Sequence, residues 1–272
     1  MRKTTIRCVL SFTFIFIYLN TFKAVELGKF IDSHAYSMGN TSSVLPGFTN
    51  PASSGFILNK SFSLEYLNRF GIKELSSFGC ILNYPNKYLN TGLYVSRYGF
   101  SDYNETSFSA NFYKALSKTL SLGIRMNYLG IHYSDKEQDA TSLTGDVGLL
   151  VRTSDYLNLS FLVINPLRTE IKMGEESAQL PNVLTMGISF QPEDMFLLTG
   201  EIEKDFAQPV IYKFGMEYVP VKELSLRAGM WTKPFSPSFG FGLNLNPFTV
   251  NMAFNNHPVL GFNSCCGLQF NF

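Results

Sequence analysis

The stretch FGFGLNLNPFTVNMAFNNHPVLGFNSCCGLQFNF, residues 239–272, carries the pattern that decides the fold. In 239–245, phenylalanine and leucine alternate with glycine and asparagine. In 262–272 the alternation continues to the last residue. Side chains at every second position of an extended chain share one face, whereas a helix would need apolar residues at i, i+3 and i+4. The pattern therefore predicts β-strands with one apolar and one polar face.

The same alternation extends back to about residue 61. We count 14 alternating segments: 61–69, 76–84, 90–100, 105–116, 119–133, 140–152, 156–165, 182–191, 195–204, 209–219, 223–232, 236–245, 247–256 and 260–272. One strand and its connection take about 15 residues, which suits strands of about 9–11 residues that cross a membrane at a tilt. These segments predict an all-β protein, a transmembrane antiparallel β-barrel of about 14 strands.

The connections between these segments alternate in length. Some are tight, such as Ser117-Lys118 and Asn246-Pro247, and others are mostly longer and more polar, such as Ser134 to Ala140 and Pro166 to Pro181. Short turns on one side and longer loops on the other are typical of outer-membrane barrels, in which the short turns are periplasmic. An even number of strands places both chain ends on the periplasmic side.

The composition agrees with a protein whose outer surface does not face water. Only 16% of the 272 residues are charged, and the chain has 26 Phe and 14 Tyr. A soluble β-sandwich also alternates, but its polar face would carry more Lys and Glu. The formal net charge of +1 gives no basic field for a nucleic acid. We therefore predict a protein of the outer membrane of a Gram-negative bacterium.

The N-terminal residues resemble a targeting signal. Residues 1–7 are basic, and residues 8–19 form an apolar run that is too short to span a bilayer. We predict three parts: a signal peptide at 1–24, an N-terminal plug segment at 25–60 and the outer-membrane β-barrel at 61–272.

Residues 25–60 do not alternate, and they are rich in small residues and proline. A barrel of 14 strands has an interior wide enough to need filling or to conduct. We predict that this segment lies as a plug in the periplasmic half of the lumen, with a disordered periplasmic tail as the alternative. The predicted plug residues are Met38, Gly39, Asn50, Pro51 and Ala52.

The polar face of the strands carries a few charged residues that are predicted to point into the lumen. They are Glu65, Arg125, Glu201, Glu203, Lys213, Glu217 and Arg227. Strand parity allows Glu201 or Glu203 to lie opposite Lys213, and it makes Glu217 and Arg227 diagonal neighbours. These charges either fill and neutralise the interior or form a charged constriction that selects a solute.

The last strand carries a predicted assembly signal. Leu268, Phe270 and Phe272 lie on one face of this strand, and the chain ends on Phe272. A terminal aromatic residue on an alternating last strand is the pattern that outer-membrane assembly machinery reads.

Several short motifs, in order along the chain, resemble known barrels. The run from Met38 to Phe56 is similar to the opening of FadL-like barrels and of the PorV/PorQ group of Bacteroidota. Five further motifs follow in the order seen in that group: 201–205, 215–218, 226–229, 239–242 and 257–261. The resemblance implies a 14-stranded outer-membrane barrel with an N-terminal lumenal segment. FadL-like members import hydrophobic molecules, whereas PorV and PorQ are accessory parts of type IX secretion.

Two functions are compatible with this sequence, and we favour the first. One is a non-enzymatic accessory component of a secretion or other outer-membrane complex, resembling PorV/PorQ. The alternative is a FadL-like passive channel for hydrophobic or amphipathic small molecules, which an apolar pocket between plug and wall would favour.

We predict neither an enzyme nor a cofactor or metal site. The three histidines, His34, His132 and His257, have no nucleophile at a suitable spacing and no metal-ligand spacing. The predicted partners are outer-membrane lipid, the assembly machinery, and secretion proteins or a hydrophobic solute.

Overall fold

The computed structural model describes residues 30–134, 139–173 and 176–272. Within these residues, 14 antiparallel strands form one closed barrel. They are β1 (Ser61–Asn68), β2 (Ser76–Tyr84), β3 (Asn90–Gly99), β4 (Tyr103–Ala115), β5 (Leu120–Tyr133), β6 (Ala140–Ser154), β7 (Leu157–Ile164), β10 (Val183–Glu193), β11 (Phe196–Asp205), β12 (Ile211–Val221), β13 (Leu224–Trp231), β14 (Ser236–Leu245), β15 (Phe248–His257) and β16 (Gly261–Asn271). The remaining elements are α1 (Ser33–Ser37), a 3-10 turn (Lys73–Leu75) and the hairpin strands β8 (Glu170–Met173) and β9 (Glu176–Gln179).

The barrel closes through the first and last strands. β1 pairs with β2 on one side and with β16 on the other, where Ser61 lies opposite Asn271. The first strand therefore starts, and the last strand ends, at the same end of the barrel. The short turns lie at this end too, and by the asymmetry of outer-membrane barrels it is the periplasmic end. The 14-stranded closed barrel predicted from the alternation is confirmed.

The outer face of the barrel is apolar. Phe108, Ile124, Met126 and Phe214, for example, are each about half exposed. Aromatic rings also contact one another across this face, as Phe239 does with Phe254 at 5.4 Å between ring centroids. An uninterrupted apolar surface of this size would be costly in water, but it is what lipid requires of a barrel. In the described part of the chain, no helix has the length and apolar character needed to cross a membrane.

The hairpin of β8 and β9 was not among the predicted strands. It lies in the long connection 166–181, where its four-residue strands are too short for an alternating pattern to be recognised. Ile171 and Leu180 pack against Leu129 and Ile131 of β5 in an apolar cluster. The hairpin is therefore fixed against the inner side of the wall at the extracellular end. The predicted signal peptide, and residues 25–29 of the predicted plug, lie outside the described residues.

Candidate functional site: the barrel lumen

Residues 30–56, which we call the lumenal segment, lie inside the barrel. The segment makes side-chain and backbone contacts with inward-facing residues around the wall, among them Glu65 on β1, Arg125 on β5, Glu201 on β11 and Ser238 on β14. Most of the segment up to Gly55 is buried, and Ala35, Met38 and Ala52 are fully so. Contacts with strands on several sides of the barrel place the segment across the lumen rather than against one wall.

The segment begins with one short helix and continues as turns. Asp32 caps α1, because its side chain accepts a hydrogen bond from the Ala35 amide at 3.0 Å. This satisfies one of the amides that a helix leaves free at its N-terminus. Further along, the Asn50 side chain accepts from the Ala52 amide at 2.9 Å and donates to the Ser43 carbonyl at 2.8 Å. Side-chain bonds of this kind hold turns that no sheet partner stabilises.

The predicted plug residues lie where the segment approaches the wall most closely. Gly39 has a φ of +67°, and a Cβ atom at this residue would overlap the backbone of Phe214 and Met230. On the wall, a Cβ atom at Gly229 would overlap Gly39 and Met38, and one at Gly123 would overlap Pro51. Glycine at these inward-facing positions therefore lets the segment backbone contact the wall directly.

Arg125 is the most deeply buried charge in the described structure. Its side chain is on the inner face of β5 and is 1% exposed. The guanidinium contacts the Asp146 carboxylate on β6 with N–O distances of 2.6 and 2.7 Å. It also donates to the carbonyls of Phe48 at 2.5 Å and Thr49 at 2.8 Å, and lies 3.9 Å from the ring centre of Phe30. One wall arginine therefore holds two parts of the lumenal segment.

Lys213 and two glutamates form a second buried group. Lys213 on β12 lies directly opposite Glu201 on β11 and contacts its carboxylate at 2.7 Å. It also contacts Glu203 at 2.5 Å, as strand parity predicted for either glutamate. Glu201 accepts a further hydrogen bond, at 2.8 Å, from the Ser43 amide of the segment. The lysine neutralises a carboxylate that binds the segment backbone.

Glu217 and Arg227 form a third ion pair. The prediction that they are diagonal neighbours was wrong, because the register places them directly opposite each other. A one-residue register shift between Tyr218 and Val221 sets this pairing, and the sequence does not show it. His34 of the segment contacts the same Glu217 carboxylate at 3.0 Å.

Glu65 on β1 also binds the segment, because its carboxylate accepts a hydrogen bond from the Ser33 amide at 3.1 Å.

All seven predicted lumenal charges therefore lie on the inner face, and six of them contact the segment or a residue that contacts it. Glu65, Arg125, Glu201 and Glu217 bind the segment themselves. Lys213 pairs with Glu201, and Arg227 pairs with Glu217. Sequence reasoning missed Asp146, which lies opposite Arg125 in the β5–β6 register. The strand parity of β6 was the signal that could have found it.

The residues of the predicted assembly signal lie on the outer face at the periplasmic end. Leu268 and Phe272 are exposed, and the Phe270 ring lies 5.6 Å from that of Phe272 and 5.2 Å from that of Phe248. This geometry places three aromatic rings on the membrane side of the last two strands, β15 and β16. Recognition by assembly machinery stays a prediction.

Two cavities lie between the lumenal segment and the wall. The larger is about 190 Å³ and is at the periplasmic end, lined by Val44, Leu45 and Phe56 of the segment and by Leu150, Arg152 and Leu197 among the wall residues. The smaller is about 40 Å³ and is towards the extracellular end, with Phe30, Tyr94 and Arg69 among its lining residues. The segment separates the two cavities.

Comparison with known proteins finds similarity in structure but not in sequence. No protein-family model matches the chain, and no curated protein sequence matches it. Among solved structures, the Ralstonia pickettii toluene transporter TbuX superposes with a TM-score of 0.64 at 13% identity, over 91% of this chain and 99% of that one. The Pseudomonas putida toluene transporter TodX gives 0.62 at 12% identity, over 87% and 95%. A Pseudomonas aeruginosa FadL homologue gives 0.56 at 11% identity, over 89% and 97%.

These matches support the FadL-like part of the predicted resemblance, while the PorV/PorQ group and an origin in Bacteroidota stay predictions. At this identity they establish the fold alone. The apolar outer face and the closed sheet fit a barrel surrounded by lipid. The short turns at one end place that end in the periplasm. The chain has the fold of FadL-type outer-membrane barrels, and it is a protein of the outer membrane of a Gram-negative bacterium.

Proposed function

We propose that the protein is a passive channel through which small hydrophobic or amphipathic molecules cross the outer membrane. The observation that carries this proposal is the periplasmic cavity between the lumenal segment and the wall. Val44, Leu45, Phe56, Leu150 and Leu197 supply apolar side chains around a volume of about 190 Å³. A dry cavity of about 150 Å³ lined by aliphatic and aromatic side chains can hold benzene, so this volume suits one substituted ring.

The remainder of the lumen supports a gated route rather than an open pore. The segment separates the two cavities and is held by Arg125, Glu201 and Glu217. A solute that enters from outside must therefore displace part of the segment locally to reach the periplasmic cavity. Polar bonds between a short segment and the wall allow such a rearrangement without opening the barrel itself, because the strand ladder is not broken.

The fold gives a second line of support. The structural neighbours TbuX and TodX are described as toluene transporters. Passage of apolar solutes is therefore compatible with a closed 14-stranded barrel of this type.

Uptake of toluene by cells tests the proposal. The protein would be produced in a Gram-negative host that lacks its own channels for apolar solutes, and radiolabelled toluene uptake would be compared with empty vector. We expect faster uptake, and slower uptake when Leu197→Trp fills the periplasmic cavity. Uptake at the vector rate by correctly inserted protein would exclude the channel function.

A second candidate is the accessory role in a secretion or other outer-membrane complex. The buried ion pairs Glu201–Lys213 and Glu217–Arg227, together with the segment, fill the middle of the lumen. A filled lumen is what a non-conducting partner protein would have. Affinity isolation from intact outer membranes with mass spectrometry tests this role, and secretion proteins recovered in stoichiometric amount, without solute uptake, would favour it.

A further inference from the structure

The periplasmic cavity contains one charged group that the lumenal ion pairs do not use. Arg152 is near the end of β6, on the same inward face as Leu150, and is exposed at the cavity mouth. Its guanidinium lies 3.8 Å from the ring centre of Phe56. Among the described residues, no carboxylate forms an ion pair with Arg152, whereas Arg125, Lys213 and Arg227 each have one.

The groups beside Arg152 are neutral and polar. Asn158 on β7 and Ser189 on β10 line the same cavity, with the Asn158 amide donating to the Ser189 hydroxyl at 3.0 Å. Gln191, one position further along the inner face of β10, is exposed at the mouth. The cavity therefore has an apolar interior and a rim with one cation, two amides and hydroxyl groups.

We propose that this cavity binds a single-ring aromatic carboxylate, with the ring in the apolar interior and the carboxylate on Arg152. One part of this inference rests on the proposed channel function: on the route of the solute, the cavity would be the site of release into the periplasm. Guanidinium and carboxylate form paired, charge-assisted hydrogen bonds. The stacking of Phe56 on Arg152 restricts the side chain to one side of the mouth, so less conformational freedom is lost on binding.

The volume and the charge each limit the ligand. About 190 Å³ accommodates one ring with a small substituent but not two rings or a long acyl chain. No acidic residue lines the cavity, and Asp155 and Asp194 in the adjoining turns form no ion pair with Arg152 within the described structure. A neutral ring would leave the Arg152 guanidinium with only Phe56 and water as partners. A carboxylate on the ring would form an ion pair with it.

Binding of benzoate to the purified full barrel in detergent micelles tests the inference, with benzamide as the neutral ligand of the same shape. By isothermal titration calorimetry, we expect Arg152→Gln to weaken benzoate binding at least about tenfold, as loss of a hydrogen bond to a charged group does, and to change benzamide binding less than about twofold. Lys118→Gln, which removes a positive charge from a turn at the same end of the barrel, should leave both affinities unchanged. Leu197→Trp should abolish binding of both ligands.

The outcomes separate this inference from the channel function. Arg152 is on an exposed rim, so its variant should fold, and unchanged Trp231 fluorescence would show that it does. Equal benzoate affinity in wild type and Arg152→Gln, or no benzoate binding in wild type, overturns the inference even if toluene enters cells. Arginine-dependent benzoate binding without toluene uptake would retain the site and reject the channel.

Discussion

Replacement of Arg125 by methionine should loosen the lumenal segment more than any other single change to the wall. Methionine has a similar length but no charge. The change leaves the Asp146 carboxylate, whose side chain is 1% exposed, with hydrogen bonds from Asn127 at 2.8 Å and the Asn165 amide at 3.0 Å but with no cation. Removing one partner of a buried ion pair costs about 3–5 kcal/mol.

The carbonyls of the segment add to this loss. Phe48 and Thr49 both lose a charged donor, and each such hydrogen bond contributes about 1.5–3 kcal/mol. These contributions share one side chain and do not add fully. We therefore expect the free energy of unfolding to fall by at least about 3 kcal/mol in Arg125→Met, with the segment released first.

Urea unfolding of the barrel in detergent micelles measures this change. Trp231 is the only tryptophan of the chain and lies 5.8 Å from the ring of Tyr36 in the segment, so its fluorescence reports on docking of the segment. Arg168→Met, in an exposed loop, is the matched control and should cost less than about 1 kcal/mol.

A double variant separates the charge from the packing. Arg125→Met with Asp146→Leu removes both charges, and apolar replacement of a whole buried pair is often neutral. We expect it to recover much of the lost stability. A loss below about 1 kcal/mol in Arg125→Met alone would refute the assignment of Arg125 as the main attachment of the segment.

Three further predictions concern the segment and the last strand. Lys213→Met should lower the free energy of unfolding by about 3–5 kcal/mol, because it leaves Glu201 buried without its cation. Adding Glu201→Gln should restore part of the lost stability. The urea midpoint measures both changes, and an unchanged midpoint would contradict the role of the pair. Gly39→Val should expose the segment to added protease in detergent, since the residue combines a positive φ with direct backbone contact to the wall; wild-type protection would show that the contact is dispensable. Deletion of Phe272 should reduce the fraction of protein inserted in the outer membrane and increase the fraction in the periplasm, as measured by cell fractionation, whereas normal insertion would argue against the assembly signal.

The sequence by itself determined the strands. Lipid on one side and a filled lumen on the other impose an apolar and a polar face on every strand, so residue parity along the chain reveals both, as in 239–245. The same parity placed Glu201, Lys213 and Arg125 on the inner face. The position of a strand and the face on which each side chain lies are local properties, so the residues of that strand are enough to predict them.

Only the tertiary structure decided which inner residues meet. The pairing of Arg125 with Asp146, and of Glu217 with Arg227, depends on register. Without the one-residue shift near Tyr218, the register of Val221 with Leu224 would place Ala228 opposite Glu217 instead of Arg227. The lumenal segment has no periodic pattern, so the sequence does not predict its path. That path sets both its contact with Gly123 and the cavity beside Arg152. Contacts between the lumenal segment and the wall join residues 32 to 201 positions apart, and they form only when the closed sheet fixes the distances across the lumen.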